Sequence, residues 1–155
     1  QVLGTDVNED NLRRAVKDHG IEVVATDAIV GAEVDVFAPC AMGAVLNASS
    51  IPGLRAGIVA GAANNQLATE ADGESLQERG ILYCPDFLIN AGGIIDVHHQ
   101  RIGSTESEKQ AHIARIEQTL SEVLLRADES HRQTNDIAEE LARDIIARNG
   151  QSLAA

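Results

Sequence analysis

Gly57-Ile58-Val59-Ala60-Gly61-Ala62-Ala63-Asn64-Asn65-Gln66 decides the fold. Its first four residues are an unbroken apolar run, of the kind a parallel sheet buries on both faces. Small residues and amides follow at once, so the chain leaves the strand through a turn whose backbone can come close to a ligand. The same pattern recurs on either side. Val34-Asp35-Val36-Phe37-Ala38 is an apolar strand that stops at Pro39 and passes into Cys40-Ala41-Met42-Gly43. Ile81-Leu82-Tyr83 is another, followed by Pro85-Asp86-Phe87-Leu88-Ile89-Asn90-Ala91-Gly92-Gly93. Nearer the start, Val2-Leu3 runs into Gly4-Thr5-Asp6, and Glu22-Val23-Val24 forms a second short strand.

Helical signals fill the intervals. Asn8 caps a helix whose apolar face is Leu12, Ala15, Val16 and His19, and Gly20 closes it. Thr69, with Asp72 three positions on, caps a second that ends before Gly80. Ile94 to His98 is a further helical stretch. Strand and helix taking turns predicts βαβ units in an α/β protein with a doubly wound parallel sheet. Two longer helices finish the chain. Thr105-Glu106-Ser107-Glu108 is a capping box ahead of Ile113, Ile116, Leu120, Val123 and Ala127; Thr134 caps Ile137, Leu141 and Ile145, until Asn149-Gly150. Each is amphipathic and needs a partner surface, either this domain's own sheet or a second domain.

Composition narrows the function classes. A chain of 155 residues has the length of one domain. Its three aromatics, Phe37, Phe87 and Tyr83, leave the core to aliphatic residues. A formal charge of −12 repels polyanions, which argues against a nucleic-acid partner. No apolar run is long enough for a membrane span, and residues 1–20 lack the pattern of a signal peptide. Cys40 and Cys84 have neither metal-ligand spacing nor the density of a disulfide scaffold, so a reducing, cytoplasmic setting is expected. The first residue is not Met, and the chain opens inside a strand; a piece of a longer polypeptide is the expectation.

Chemistry-bearing residues collect where strands end. Asp6 follows the first strand, where a carboxylate in a dinucleotide fold accepts from the adenosine ribose hydroxyls; the plainer alternative is a turn or cap. The loops at Cys40-Ala41 and at Ala62 with Asn64 let backbone and neutral amides meet a flat ligand, although the Asn residues also suit loop caps. Asn90 stands before a helix start, as an N-cap or as a neutral donor to a carboxylate. His98 and His99 are adjacent, cannot share a helix face as metal ligands, and read as solvated helix-end residues. No metal site is expected. Both cysteines read as inert buried thiols.

Asp-Val-Phe-Ala-Pro-Cys-Ala-Met-Gly, Val-Ala-Gly-Ala-Ala-Asn-Asn-Gln-Leu and Gly-Ile-Leu-Tyr-Cys-Pro-Asp-Phe-Leu-Ile-Asn-Ala-Gly-Gly, in this order over residues 35–93, together resemble the leucine/phenylalanine/valine branch of the glutamate dehydrogenase superfamily. The likeness extends more weakly over nearly the whole chain. It implies a Rossmann-like C-terminal NAD-binding domain, with strands and helices in residues 1–100 and two amphipathic helices in 104–150 of a partial domain spanning 1–155. It implies oxidative deamination of a branched-chain or aromatic L-amino acid to a 2-oxo acid, ammonia and NADH. Asp6 matches the adenosine-ribose ligand; Cys40, Ala41, Ala62 and Asn64 match the nicotinamide-side walls; Asn90 matches a substrate-holding residue.

The family's Gly-x-Gly-x-x-Gly turn and first strand precede anything in this sequence, as does the domain carrying its two catalytic lysines and aspartate. The expectation is therefore a sheet with unpaired central edges, no catalytic residue of its own, no turnover alone, and association with another copy or with a missing N-terminal domain. A non-catalytic nucleotide-sensing or interaction module of the same fold is the alternative.

Overall fold

The computed structural model describes the backbone of residues 1–152 and the side chains of residues 1–148. Elements run in the order β1 (Leu3–Gly4), α1 (Glu9–His19), β2 (Glu22–Val23), β3 (Val36–Phe37), β4 (Ile58–Val59), α2 (Glu70–Glu78), β5 (Leu82–Tyr83), α3 (Asp86–Ile89), α4 (Gly92–Ile102), α5 (Glu106–Ser130) and α6 (Thr134–Ser152), with single 3₁₀ turns at Ile29–Gly31 and Ile51–Gly53. The caps read from sequence form. The Asn8 side chain accepts from the backbone N–H groups of Asp10 and Asn11, and Gly20 closes α1 at φ 64°. The Asp72 carboxylate accepts from the N–H and hydroxyl of Thr69 at 2.7 and 2.8 Å. Each such cap satisfies helix-end donors and contributes about 1 kcal/mol.

All strand pairs are parallel, but the ladder is divided: β1 pairs with β2, and β3-β4-β5 form a separate three-stranded unit. Register aligns Phe37, Val59 and Tyr83 in one row and Val36, Ile58 and Leu82 in the next. The first row is buried with Leu46, Ile51, Leu54, Ala56, Leu76 and Ile81. In the second row Val36 and Leu82 are exposed and Ile58 is half-buried. The Gly57–Ala60 run is therefore not buried on both faces. Alternation along a strand fixes which side chains share a face; a second covering layer is needed to bury the other. Here α2 and the Ile51 turn cover one face only.

The terminal helices find their partners among helices. α5 packs along α6 and against α3 and α4. Val123, Ala127, Ile137 and Ala138 form a second core with Leu88 and Leu141 against it. Thr134 is not the cap beyond α6 but its first residue, and its hydroxyl donates to the Tyr83 carbonyl at 2.6 Å, tying the helix to the end of β5. Among the described residues no helix is long and apolar enough to cross a membrane.

His99 corrects the solvated reading: it is buried, and its Nε2 lies 3.0 Å from Nδ1 of His112, with the exposed His98 ring edge-on beside it. The helix turn that exposes His98 directs its neighbour into the α4–α5 interface, a distinction that adjacency in sequence does not make. Lys109 of α5 braces the same interface by pairing with Asp96 of α4 at 2.9 Å, and it also pairs along its own helix with Glu106 at 2.8 Å. Desolvation first, then Arg115, His99 and His98, hold the His112 pKa below its ordinary 6.5. Between the lowered folded-state value and 6.5, such a histidine is neutral when folded and takes up a proton on unfolding. Its stabilising contribution is thus complete above pH 6.5 and disappears as pH falls from there through the folded-state value. The urea midpoint should drop on acidification through that window, and the drop should shrink in His112→Gln. An unchanged slope in the variant would remove the pair as its cause.

Candidate functional site

The loops that follow β3 and β4 and the joint between α3 and α4 meet at the carboxyl ends of the strands. Ala63 N–H donates to the Pro39 carbonyl at 2.9 Å, and Ala44 N–H to the Asn65 carbonyl at 2.7 Å. Gly61 makes the approach possible: a Cβ there would lie 2.1 Å from the Pro39 carbonyl oxygen and 2.4 Å from its nitrogen. Gly43 does the same for the carbonyls of Asn64 and Asn65, at 2.8 and 2.9 Å from the position of its absent Cβ. The Asn90 Nδ2 donates to Asn64 Oδ1 at 2.5 Å and lies 3.4 Å from the Ala62 carbonyl. So Cys40, Ala41, Ala62, Asn64 and Asn90 share one rim, all exposed but the half-buried Asn90. Small side chains form the wall and two carboxamides supply uncharged donors and acceptors. Such a surface suits a flat, polar-edged ligand.

Asp6 lies at the carboxyl end of the β1–β2 ladder, which shares no strand pairing with the β3-β4-β5 unit. Its exposed carboxylate accepts from Asn8 N–H at 2.8 Å and from Asn11 Nδ2 at 3.2 Å. Those bonds, the backbone one first, hold its pKa below the usual carboxylate range. It is anionic at neutral pH, and it does serve as a local turn acceptor.

Burial corrects two readings at the rim. Gln66 is not a ligand-facing amide: it is fully buried, and its Nε2 donates to the Gly61 and Ala63 carbonyls at 2.7 and 2.9 Å, so it shapes the loop from beneath. Cys40 is an exposed thiol in the loop beyond β3; Cys84 is buried, and burial pushes its pKa up. Asn90, for its part, is the C-cap of α3, while Ala91 holds the N-cap position of α4. Asp86 and Tyr83 carry weight that sequence reading missed. Asp86 is buried, accepting from the Tyr83 hydroxyl at 2.8 Å and from Asn65 N–H at 2.6 Å. Burial and that acceptor raise the Tyr83 pKa, so the phenol remains a donor. The only local signal was a carboxylate three positions after a tyrosine. Among the described residues no three His, Cys, Asp or Glu side chains converge as a metal-binding set.

Parallel strands with a rim of loops beyond their carboxyl ends define the α/β class in which ligands bind at that edge. Residues 3–149 match the Glutamate/Leucine/Phenylalanine/Valine dehydrogenase model, and the chain belongs to that family of oxidoreductases. Leucine dehydrogenase of Bacillus cereus is 37% identical over 147 residues, which cover 95% of this chain and 40% of the relative. L-tryptophan dehydrogenase of Nostoc punctiforme is 40% identical over 153 residues, covering 98% of this chain and 43% of the relative. The crystal structure of a Nostoc punctiforme L-tryptophan dehydrogenase superposes with a TM-score of 0.91 at 40% identity, over 96% of this chain and 45% of that one. The chain thus spans 40% to 43% of the length of these curated relatives.

Proposed function

We propose that this chain is the NAD-binding portion of an L-amino-acid dehydrogenase that oxidatively deaminates a branched-chain or aromatic amino acid, and that it does not turn over alone. The observation that carries this reading is the meeting of three loops at one rim through the Pro39–Ala63 and Asn64–Asn90 hydrogen bonds. That rim fits a nicotinamide and its ribose: Gly61 admits no side chain, Cys40, Ala41 and Ala62 keep the wall low, and Asn64 offers a carboxamide without charge. Asn90, on the adjoining joint, is placed to orient the substrate. Asp6, an exposed anion after β1, suits the adenosine ribose and disfavours a 2′-phosphate, which selects NAD over NADP.

Bound NAD supplies the hydride acceptor. This chain's own part is to hold that acceptor and exclude mispositioned approaches. The divided ladder supports the same reading, because a sheet in the order 3-2-1-4-5-6 without its first strand leaves a two-stranded and a three-stranded piece. Residues 1–155 then form one partial dinucleotide-binding domain, the strands and helices of 1–100 followed by the helices of 104–150. Its lysines are Lys17 and Lys109, and Lys109 is held between Asp96 and Glu106. Proton transfer is assigned to groups outside this chain. Assembly with further copies or with a catalytic domain, and a cytoplasmic setting in which the free thiols Cys40 and Cys84 persist, belong to the same proposal.

Titrating NAD into the isotopically labelled chain should move the backbone resonances of residues 6, 40–41 and 62–64, with no NADH absorbance on adding L-leucine. Shifts confined to other regions would overturn the cofactor site. Turnover at the rate of a complete enzyme would overturn the assignment of catalysis elsewhere.

A further inference from the structure

We infer that Asp86 is a positioning residue that sets the distance between Asn64 and Asn90 at the rim, an inference that rests on the nicotinamide reading of that rim. A closed ring of contacts carries it. The Asp86 carboxylate accepts from Asn65 N–H at 2.6 Å, Asn90 N–H donates to the Asp86 carbonyl at 2.9 Å, and the Asn90 carboxamide donates to Asn64 Oδ1 at 2.5 Å. One residue therefore anchors both sides: its side chain holds the β4 loop, and its backbone begins the short helix that ends at Asn90.

The loop end is fixed in a defined turn. Asn65 stands at φ 54°, a left-handed conformation that asparagine adopts more readily than other side-chain-bearing residues. Its carbonyl accepts from Ala44 N–H at 2.7 Å, and its own N–H has Asp86 as acceptor. Removing the carboxylate leaves that N–H part-buried and unpaired, and frees Asn64 beside it to rotate away from Asn90. The Asp86 carboxylate is held by the Tyr83 hydroxyl and is buried, so that side chain acts on the ligand surface through Asn65. Gln66 fixes the loop at Gly61 and Ala63 instead, which leaves the Asn64–Asn65 end to Asp86.

Comparing NADH with ADP separates positioning from general folding, because ADP ends at the pyrophosphate and only NADH carries the ribose and nicotinamide that reach the rim. The unaltered chain should bind NADH more tightly than ADP. Asp86→Ala should weaken NADH binding by about tenfold while ADP affinity stays within about twofold. Asp86→Asn keeps an oxygen for Asn65 N–H and turns its amide toward the Tyr83 oxygen, so NADH affinity should return to within about threefold of the unaltered chain. If Asp86→Ala does not fold, Asp86→Glu, which displaces the carboxylate by one methylene, should show the same selective loss. Exchange of the Asn65 amide should speed up in whichever of these two folds and stay slow in Asp86→Asn. Equal losses for both ligands, no loss for either, or failure of the Asn variant to restore binding would overturn the positioning role alone. An unaltered chain that binds NADH no better than ADP would overturn the nicotinamide reading beneath it, and this inference with it.

Discussion

Gly61→Ala is expected to separate the two loops of the rim, costing about 1–3 kcal/mol of stability and most of the nicotinamide-side affinity. The cause is contact rather than backbone conformation, since Gly61 is not among the glycines with positive φ. The added Cβ would meet the Pro39 carbonyl oxygen at 2.1 Å, its nitrogen at 2.4 Å and its Cδ at 2.6 Å. These are backbone and ring atoms, so no rotamer change relieves the overlap. Relief requires the 39–43 and 61–66 loops to part, which lengthens the 2.9 Å bond from Ala63 N–H to the Pro39 carbonyl and strains the neighbouring bond from Ala60 N–H to Phe37. Gly53→Ala is the control: nothing lies within 4 Å of its Cβ position, and its stability should stay within about 0.5 kcal/mol of the unaltered chain. Urea unfolding and NADH titration read both effects. A Gly61→Ala chain with unaltered midpoint and affinity would show that the close approach is unnecessary.

Leu76→Ala is expected to be the most damaging single change to stability, at about 2–5 kcal/mol. Leu76 is 0% exposed and lies where α2 meets the buried row of the three-stranded ladder. Truncation removes its transfer energy and leaves a cavity among Leu46, Ile51, Leu54 and Ile81, whose backbones are held by strand, 3₁₀-turn and helix-end bonds and collapse only in part. Against a typical domain stability of about 5–15 kcal/mol, that is a large share. The denaturant midpoint should fall with little change in slope. Val97→Ala, on the exposed face of α4 at 59% exposure, should move the midpoint far less. Similar shifts from the two substitutions would mean that the α2-facing core does not dominate stability.

Much of the rim was legible before any coordinates. Cys40 and Ala41 follow β3, Ala62 and Asn64 follow β4, and Asn90 lies one short helix beyond β5; parallel strands bring their carboxyl ends to one edge, so topology predicts their meeting. Gln66 and Asp86 were misread or passed over for a shared reason. An amide in a run of amides, and a carboxylate at a helix start, look the same in sequence whether they face solvent or a buried carbonyl. Asp86 meets Asn65 across 21 residues of chain, and no local spacing encodes that pairing.

Sequence by itself determined the strand–helix–strand steps β1-α1-β2 and β4-α2-β5, though the connections from β2 to β3 and from β3 to β4 carry only 3₁₀ turns, together with the caps at Asn8, Thr69 and Thr105 and the family motifs, because each depends on neighbours within a turn or a strand. Only the tertiary structure decided that Val36, Ile58 and Leu82 face an uncovered side, that His99 turns inward to His112, and that Asp86 anchors the loop carrying Asn64. Periodicity tells which way a side chain points. What stands opposite it, whether water, a second layer or a hydrogen-bond partner, depends on segments brought together by packing, and that is where burial and binding geometry are set.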